Sequence, residues 1–416
     1  MPEQEQFYTV HATDLRIASR VQVLDAILKL GDCTALDISD LIGLSRQTVM
    51  KAIRYFVTIG VLEDLGKGSS SAAGGKRPFL YGFTRSLYFL CISFTPRETR
   101  LVLYTIGKIR VDTLTLSFPL PDTAKEAIDN AGKLARTLLD KHNIPLQNVR
   151  GVSVSASGIV DNETGTLLYN SQRPSWGRDV PLLQYLTPYF APGTMFFIEK
   201  AGKMAARVHL LNPELQNKRA VVFFTDWVMS ACLIERRHIL SGKNNLIGEV
   251  GHMIIFSGDH EQCYCGAYGC AERMCHVSRI RWLMDQARDK YPPSTLEPVK
   301  DTLTIPEFFE HSRAGDPLAQ YISIGMGWVF GTVLRNICLT FDPDLVIFQG
   351  DYAFADQTFK DSLLREVDKF CIARNGSFSL EFDRRPLAEL DAEGSFMALA
   401  HRYFSSRTLL NGEEES

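Results

Sequence analysis

Apolar residues near the start of the chain recur at helical spacing in three successive segments. From Leu15 to Leu30 they return every three or four positions, which predicts an amphipathic helix. A second, short helix is predicted over Ala35 to Leu41. A third helix follows Ser45, whose side chain is a favourable N-cap, and it carries apolar residues at the same spacing on its inner face. The segment therefore predicts a compact unit of three helices.

Two of these helices, joined by a short glycine-containing turn, form a helix-turn-helix arrangement. The third helix would then lie in the major groove of DNA. We expect duplex contacts from its first turn, from its exposed face and from the basic segment that follows it. The candidate DNA-binding residues are Ser45, Arg46, Gln47, Thr48, Lys51, Arg54, Lys76 and Arg77.

Charge supports this interpretation only locally. The whole chain has a formal net charge of −3, which gives no general attraction to nucleic acid. Between Ser45 and Arg77, however, basic side chains outnumber Glu63 and Asp64. The runs Val61–Asp64 and Phe79–Tyr81 predict the two strands of a wing, joined by a Gly/Ser-rich segment. A protein-interaction module with a solvated basic face is the alternative.

From Leu87 onward the pattern changes to short runs rich in β-forming residues, which predict an antiparallel meander. A helix over Ala124 to His142 and a strand over Gly151 to Ser155 follow, and strands and helices then alternate as in an α/β fold. The hydrophobic fraction of 45% is that of an ordinary globular protein. Without a signal-peptide pattern or an apolar run long enough to span a bilayer, we expect a cytoplasmic protein and no membrane partner.

One short stretch concentrates potential metal ligands. Cys263, Cys265 and Cys270 lie within eight residues, and His252 precedes them by eleven positions. One imidazole and three thiolates complete a tetrahedral set that suits a structural Zn²⁺ ion. Buried free thiols are the alternative interpretation, and spacing alone does not exclude His260, Cys275 and His276 as ligands.

The same stretch resembles the signature of the ROK family, which groups sugar kinases with sugar-responsive repressors. The matching residues are Gly248, Glu249, Gly251, His252, Cys263, Cys265, Gly266, Gly269, Cys270 and Glu272. The resemblance implies a two-lobed, actin-like ATPase (ribonuclease H-like) α/β body behind the winged helix-turn-helix. It also implies that zinc fixes the loop whose two glutamates bind sugar hydroxyls. The segment Gly75–Pro78 is similar to an element of the family's transcriptional regulators, the branch of N-acetylglucosamine and xylose repressors.

The parts that the family's kinases need for phosphoryl transfer are not recognisable. The stretch Phe89–Arg100 contains neither aspartate nor glycine, and bulky residues fill Thr225–Ala231, where a glycine-rich loop is expected. Gly350 is followed by Asp351 instead of a second glycine, and Ala201 stands where the family has its catalytic aspartate. We therefore expect no enzymatic activity. A residual sugar kinase is the less favoured alternative.

The resemblance implies a ligand site that has lost two of its usual sugar contacts. The candidate ligand-binding residues are Ser157, Gly158, Glu199, Lys200, Glu249 and Glu272. Lys200 replaces the family's asparagine, and it could contact an anionic group such as a phosphate. The alternative is that Lys200 pairs with Glu249 or Glu199 and closes the site.

These observations predict three regions and one function. Residues 1–82 form the winged helix-turn-helix with a wing and linker over 64–80, residues 83–195 and 395–416 form one lobe, and residues 196–394 form the zinc-containing lobe. We expect a regulator, of the repressor type, of carbohydrate-metabolism genes. Its partners would be a double-stranded DNA operator and a sugar or sugar-phosphate effector, and it would act as a homodimer or homotetramer. Control by a protein partner is the alternative.

Overall fold

The chain is described here from a computed structural model. It covers residues 12–68, 77–96, 98–117, 123–170, 172–226, 228–291, 293–369 and 378–411. Lys76, one of the predicted DNA contacts, lies outside the described residues.

The first elements form the predicted three helices and wing. A capping box between Thr34 and Asp37 begins the second helix, and the Ser45 hydroxyl accepts a hydrogen bond from the Thr48 N–H at the start of the third. The three strands form an antiparallel sheet in the order β1-β3-β2, in which the two-residue β1 was not predicted. The elements are α1 (Ala12–Leu30), β1 (Cys33–Thr34), α2 (Ala35–Ile42), α3 (Arg46–Thr58), β2 (Leu62–Lys67) and β3 (Phe79–Phe83).

The first lobe is built on a five-stranded sheet in the order β11-β7-β4-β5-β6. The predicted meander is confirmed, since β4, β5 and β6 pair antiparallel, while β7 pairs in parallel with both β4 and β11. The elements are β4 (Tyr88–Phe94), β5 (Glu98–Thr105), β6 (Arg110–Ser117), α4 (Ala124–Lys141), β7 (Val149–Ala156), β8 (Ile159–Asp161), β9 (Thr166–Tyr169), β10 (Arg178–Val180), α5 (Leu182–Leu186) and β11 (Met195–Lys200).

The second lobe is built on a sheet in the order β14-β13-β12-β15-β16. Phe223 and Phe348, on the adjacent parallel strands β12 and β15, stack at 4.9 Å and anchor the core beneath the helices. The elements are α6 (Ala201–Ala206), β12 (Arg219–Thr225), β13 (Met229–Glu235), β14 (His238–Ile239), α7 (Ala271–Cys275), α8 (Val277–Ala287), α9 (Ile305–Arg313), α10 (Pro317–Phe341), β15 (Leu345–Gly350), α11 (Gln357–Asp368) and β16 (Ser379–Asp383).

Helix α10 is the one described helix that is long and apolar enough to cross a membrane by length and composition. Within its most apolar window, however, 61% is buried inside the protein. Phe330 packs there on Tyr352, with ring centroids 4.4 Å apart. Its hydrophobicity is therefore explained by its place in the core of the second lobe.

Two C-terminal helices, α12 (Leu387–Phe404) and α13 (Arg407–Asn411), return the chain to the first lobe as predicted. Phe404 stacks on Phe83 of the wing sheet at 5.1 Å, and the Tyr55 hydroxyl of α3 donates to the Leu409 carbonyl at 2.9 Å. The winged helix and the adjoining face of the first lobe consequently share one hydrophobic core. The winged helix is held to the body by buried contacts as well as by its connecting segment.

The predicted domain boundaries need correction in three places. Position 82 falls inside β3, and a division between residues 195 and 196 separates Met195 from the rest of β11, which is an edge strand of the first lobe's sheet. The division between 394 and 395 falls inside α12. Helical and strand hydrogen bonding is continuous through each of these points, so structural boundaries lie at the ends of the elements instead.

Candidate functional site

The predicted metal ligands come together between β13 and α7. The four donor atoms of His252, Cys263, Cys265 and Cys270 all lie within 4.8 Å of one another. Cys263 Sγ is 3.6 Å from His252 Nδ1, and Cys265 Sγ is 3.6 Å from Cys270 Sγ. Ligands bound at about 2.0–2.3 Å in tetrahedral geometry would be separated by about 3.6–3.8 Å. The cluster therefore has the donor types and the spacing of a four-coordinate metal site.

Backbone turns bring the sulfurs to one point. Gly266 and Gly269 have φ values of 91° and 78°, which side chains rarely adopt. A Cβ atom at Gly269 would also lie 2.0 Å from the Phe256 carbonyl oxygen. Burial raises the pKa of the Cys263 and Cys270 thiols, so their ionisation depends on a nearby positive charge such as a metal ion.

The three nearby residues that spacing could not exclude lie outside the cluster. His276 Nδ1 caps α8 by accepting the Ser278 N–H at 3.2 Å. The thiol of Cys275 is buried and donates to the Glu272 carbonyl. His260 packs against Trp282, with ring centroids 5.2 Å apart. Each of them has a structural partner that accounts for its position.

A cavity of about 110 Å³ lies beside the cluster, between the two lobes. Cys265 and His252 form part of its wall, so the predicted metal-binding stretch over residues 248–272, called the metal loop below, is also a wall of the cavity. Five of the six predicted ligand residues line it as well: Ser157, Gly158, Lys200, Glu249 and Glu272. The structure thus brings together Ser157 and Gly158 of the first lobe, Lys200 at the end of β11 and the metal loop, which are far apart in the sequence.

Glu272 lines the cavity and has one carboxyl oxygen without a partner among the described residues. Its Oε2 accepts the Met229 N–H at 3.3 Å, while its buried Oε1 has no hydrogen-bond partner among the described residues. Burial raises the pKa of Glu272 to about 7, an effect that the neighbouring charge of Glu249 reinforces. A buried carboxyl oxygen without a partner is costly, which favours a ligand hydroxyl at this position.

Lys200 is paired rather than free. Its Nζ contacts Glu249 Oε1 in a largely buried ion pair, so the alternative in which Lys200 pairs with a glutamate is the arrangement observed. His252 Nε2 lies 3.9 Å from Glu249 Oε2. Glu249 is therefore held between the lysine and a predicted metal ligand.

Glu199, the sixth predicted ligand residue, does not line this cavity. Its Oε1 accepts the Lys200 N–H at 2.9 Å and its Oε2 accepts the Asn162 amide at 3.0 Å. Arg207 approaches the same carboxylate to 3.8 Å. Both carboxylate oxygens of Glu199 therefore have partners within the protein, and these contacts fix the end of β11.

Sequence reasoning missed seven of the described lining residues, including Tyr169 and Asn170 at the end of β9. Asn170 is buried, and its side-chain oxygen accepts the Gln172 N–H at 3.0 Å. Gly158 passes so close that a Cβ there would lie 2.4 Å from the Tyr169 carbonyl oxygen. The β8–β9 pairing brings these residues to the cavity, and no local sequence pattern marks them.

A second interlobe cavity, of about 450 Å³, is formed by the three stretches compared above with kinase phosphate loops. Thr95, Glu98 and Arg100 line it from the first stretch, and Ala201 lies in its wall. Arg100 forms an ion pair with Glu389 at 2.7 Å. The first stretch therefore contributes side chains, and no glycine, to the wall of this cavity.

Gly350 and Asp391 also line this second cavity. Gly350 is needed locally, because a Cβ there would lie 2.0 Å from the Thr225 carbonyl oxygen. Asp391 is buried and hydrogen-bonded to Ser155 and Ser93, and burial raises its pKa to about 6. The methyl side chain of Ala201, in the same wall, cannot accept a proton from a sugar hydroxyl.

The third helix presents the predicted DNA-facing residues. Arg46, Gln47, Lys51 and Arg54 are exposed, whereas Thr48 is half-buried. The Ser45 and Thr48 hydroxyls lie 2.9 Å apart and Ser45 caps the helix, so these two residues position its first turn. Arg77 is exposed beside the wing.

The chain belongs to the ROK family, whose profile matches residues 118–391. It is 22% identical over 337 residues to the DNA-binding transcriptional dual regulator NagC of Escherichia coli (strain K12), covering 79% of each chain. It is 23% identical over 373 residues to the xylose repressor of Caldicellulosiruptor bescii, covering 85% of this chain and 88% of the repressor.

Solved structures show the same fold. A ROK family transcriptional regulator, a homolog of the E. coli MLC protein, superposes with a TM-score of 0.78 at 17% identity, covering 96% of this chain and 100% of that one. A ROK family glucokinase from Streptomyces griseus, in complex with glucose and AMPPNP, superposes with a TM-score of 0.61 at 16% identity, covering 75% of this chain and 98% of the kinase. The predicted two-lobed, actin-like architecture is confirmed.

Proposed function

We propose that this chain is a sequence-specific DNA-binding transcription regulator, of the repressor type, that acts on carbohydrate-metabolism genes in the cytoplasm. The observation that carries the proposal is the combination, in one polypeptide, of an exposed polar first turn on α3 with a ROK body whose cavity retains two glutamates. Relatives of similar length that are named as transcriptional regulators support it.

In this proposal the first turn of α3 reads base edges. Arg46 and Gln47 would contact bases, while Lys51, Arg54, Lys76 and Arg77 would contact phosphates. Ser45 and Thr48 would hold the helix start in place. A homodimer, or a tetramer built from two dimers, would present two such helices about 34 Å apart, or at multiples of that distance.

The metal proposal is one structural Zn²⁺ ion held by His252, Cys263, Cys265 and Cys270. The Cys3His donor set, its tetrahedral spacing and the closed coordination support zinc over harder cations. Bound zinc would tie together the two segments that carry Glu249 and Glu272. The ion would thus set the separation of the two carboxylates without taking part in chemistry.

We infer that the effector is a neutral sugar rather than a sugar phosphate. Lys200 is already neutralised by Glu249, and the remaining cavity of about 110 Å³ offers carboxylate and amide acceptors without a second free cation among its described lining residues. Hydroxyl donors suit such acceptors, whereas a phosphate would meet two glutamates. Glu272, Glu249 and Asn170 would receive the hydroxyls.

Phosphoryl transfer is not part of the proposed function. Ala201 supplies no base, and charged side chains line the second interlobe cavity where the phosphates would have to lie. The similarity to ROK glucokinases is a similarity of fold.

In vitro selection from a pool of random duplexes tests the DNA-binding proposal directly. Wild-type protein should enrich a pseudo-palindromic sequence, and Arg46→Ala or Gln47→Ala should weaken binding to it by about 1–3 kcal/mol while leaving binding to random duplex nearly unchanged. Lys290→Ala, an exposed lysine on the second lobe, is the matched control. Absence of any enriched sequence, or equal operator binding by the Arg46 and Gln47 variants, would contradict the proposal.

A further inference from the structure

A broad groove of about 1250 Å³ lies where the winged helix meets the body. Its walls come from the end of α3, the start of β11 and the C-terminal helices α12 and α13. It is separate from both interlobe cavities, which share none of its lining residues. Nothing in the proposed DNA or sugar binding uses this groove.

The charge of this junction groove is one-sided. Arg150, Arg402 and Arg407 are exposed along it, and none of them makes an ion pair or a side-chain hydrogen bond with another described residue. His401 is exposed beside them, and no described lining residue is acidic. In a chain whose formal net charge is −3, such a concentration of unpaired arginines marks a surface for an anionic group.

The floor of the junction groove is apolar. Met195, Phe196 and Phe197 at the start of β11 line it and are only partly buried, and Ile59 at the end of α3 is 43% exposed. Tyr403 also lines it. Aromatic and aliphatic surface below an arginine rim has the composition of a protein-binding hot spot.

We propose that the junction groove binds an acidic polypeptide segment of a partner protein, with an aromatic or large aliphatic side chain between its carboxylates. The carboxylates would pair with Arg150, Arg402 and Arg407, because guanidinium groups bind carboxylates through two parallel hydrogen bonds. The apolar side chain would cover the exposed floor formed by the phenylalanines of β11.

Duplex DNA is the less suitable occupant. The residues expected to read bases lie in the first turn of α3, whereas Tyr55 and Ile59 line the groove at its other end, roughly 15 Å away along the helix axis. The sugar-phosphate backbone also offers no apolar side chain for the floor. The groove chemistry therefore matches a peptide better than a nucleic acid.

An occupant of the junction groove would touch the DNA-reading unit and the ligand-binding body at once. Ile59 belongs to the DNA-reading unit. Strand β11 belongs to the body, and it continues from Met195 in the groove to Lys200 in the cavity beside the predicted metal ligands. Arg207 lines the groove while its guanidinium approaches Glu199 near that cavity. Binding here could change the position of α3 without contacting the DNA.

The test is a selection of phage-displayed twelve-residue peptides on immobilised full-length protein. Enriched peptides are synthesised with a fluorescent label, and their dissociation constants are measured by anisotropy on wild type, on Arg402→Glu/Arg407→Glu and on Lys243→Glu/Lys290→Glu, two exposed lysines outside the groove, as the charge-matched control. We expect acidic residues flanking an aromatic residue, at least about a tenfold loss on the double variant and less than about a twofold change on the control.

Thermal unfolding of the three proteins establishes that the exposed substitutions leave the fold intact. Peptides without acidic residues, peptides that bind the double variant as tightly as wild type, or no enrichment at all would overturn the proposal. If the double variant bound the peptides as tightly as wild type but bound duplex DNA at least about tenfold more weakly, the groove would be a DNA contact instead.

Discussion

The two interlobe cavities differ in what their lining side chains can still do. Beside the metal cluster, Glu272 keeps a buried oxygen without a partner among the described residues, and Glu249 is held by Lys200. In the larger cavity, Arg100 is paired with Glu389 and Ala201 offers no functional group. The smaller cavity is lined by two glutamates, while the wall of the larger one has only a methyl side chain at Ala201.

Under the proposed function, recognition and catalysis occupy separable parts of the ROK fold. Sugar recognition would depend on a few acceptors fixed by the metal loop, so it would survive changes in the first-lobe turn and in the β12–β13 turn. Phosphoryl transfer needs several glycine-rich turns and a base at the same time, so the loss of one part relaxes the need for the others. A regulator can keep the first without the second.

The largest expected effect comes from removing the proposed metal. Cys265→Ser should lower bound zinc from about one ion per chain to near zero and reduce the free energy of unfolding by about 4 kcal/mol or more, because the closed loop loses its cross-link. Elemental analysis and denaturant unfolding provide the measurements. Cys338→Ser, on α10 and outside the cluster, is the control and should retain the metal.

The outcome also tests the comparison of the cavities. Cys265→Ser should abolish sugar binding, because Glu249 and Glu272 lose their common support. Purified, reduced wild-type protein without stoichiometric metal would show that the four ligands form a thiol cluster only.

The next effect concerns the acceptor in the smaller cavity. Glu272→Gln should weaken sugar binding by about 10–100-fold, because a charge-assisted hydrogen bond is worth about 1.5–3 kcal/mol. Calorimetry over a panel of sugars, sugar phosphates and amino sugars identifies the ligand and measures the loss. Glu214→Gln, on an exposed surface of the second lobe, should bind as wild type does. A sugar phosphate that binds more tightly than its neutral parent would contradict the neutral-sugar inference.

A pH effect of similar or smaller size should come from the larger cavity. Burial raises the pKa of Asp391 from 3.8 to about 6, so the folded state holds this proton more tightly than the unfolded state does. Wild-type stability contributed by this group is therefore present at low pH and is lost as pH rises from 3.8 to about 6. The free energy of unfolding of Asp391→Asn, measured relative to wild type, should therefore increase by about 2 kcal/mol as pH rises from 4.5 to 8.

Urea unfolding of both proteins across that pH range measures the difference, in which the other titrating groups cancel. A constant difference between Asp391→Asn and wild type would mean that the carboxyl group is already ionised at low pH.

The smallest expected effect is that of nucleotide. MgATP should leave the unfolding temperature unchanged and should give no sugar-dependent ADP, because the larger cavity lacks bare amides for the phosphates and a base at Ala201. Thermal unfolding and a coupled ADP assay give the two readouts. Turnover that requires sugar would support the residual-kinase alternative.

Local patterns were sufficient to predict several elements. The ligand spacing of His252, Cys263, Cys265 and Cys270 reflects one short loop, so the sequence alone indicates the cluster. The three helices and the wing follow from periodicity and from the Ser45 cap. These features depend on neighbours along the chain, for which sequence spacing is a good guide to distance.

Features made by distant segments were less predictable. Whether Lys200 faces a ligand or pairs with Glu249 depends on how β11 meets the metal loop, and the structure decides for the pair. The family resemblance placed Glu199 among the ligand residues, but its carboxylate contacts Asn162 and Arg207 and does not line the cavity. The junction groove is assembled from segments that lie far apart in the sequence, and no local pattern in any one of them predicts it.

The measurement that tests the central claim most directly is the affinity of the selected operator duplex with and without the sugar found by calorimetry, in the absence of nucleotide. If ligand binding in the smaller cavity controls DNA reading, saturating sugar should change the dissociation constant by at least about fivefold, a coupling energy of about 1 kcal/mol. Glu272→Gln should show the change only at higher sugar concentration. An operator affinity that saturating sugar leaves unaltered in wild-type protein would contradict the account.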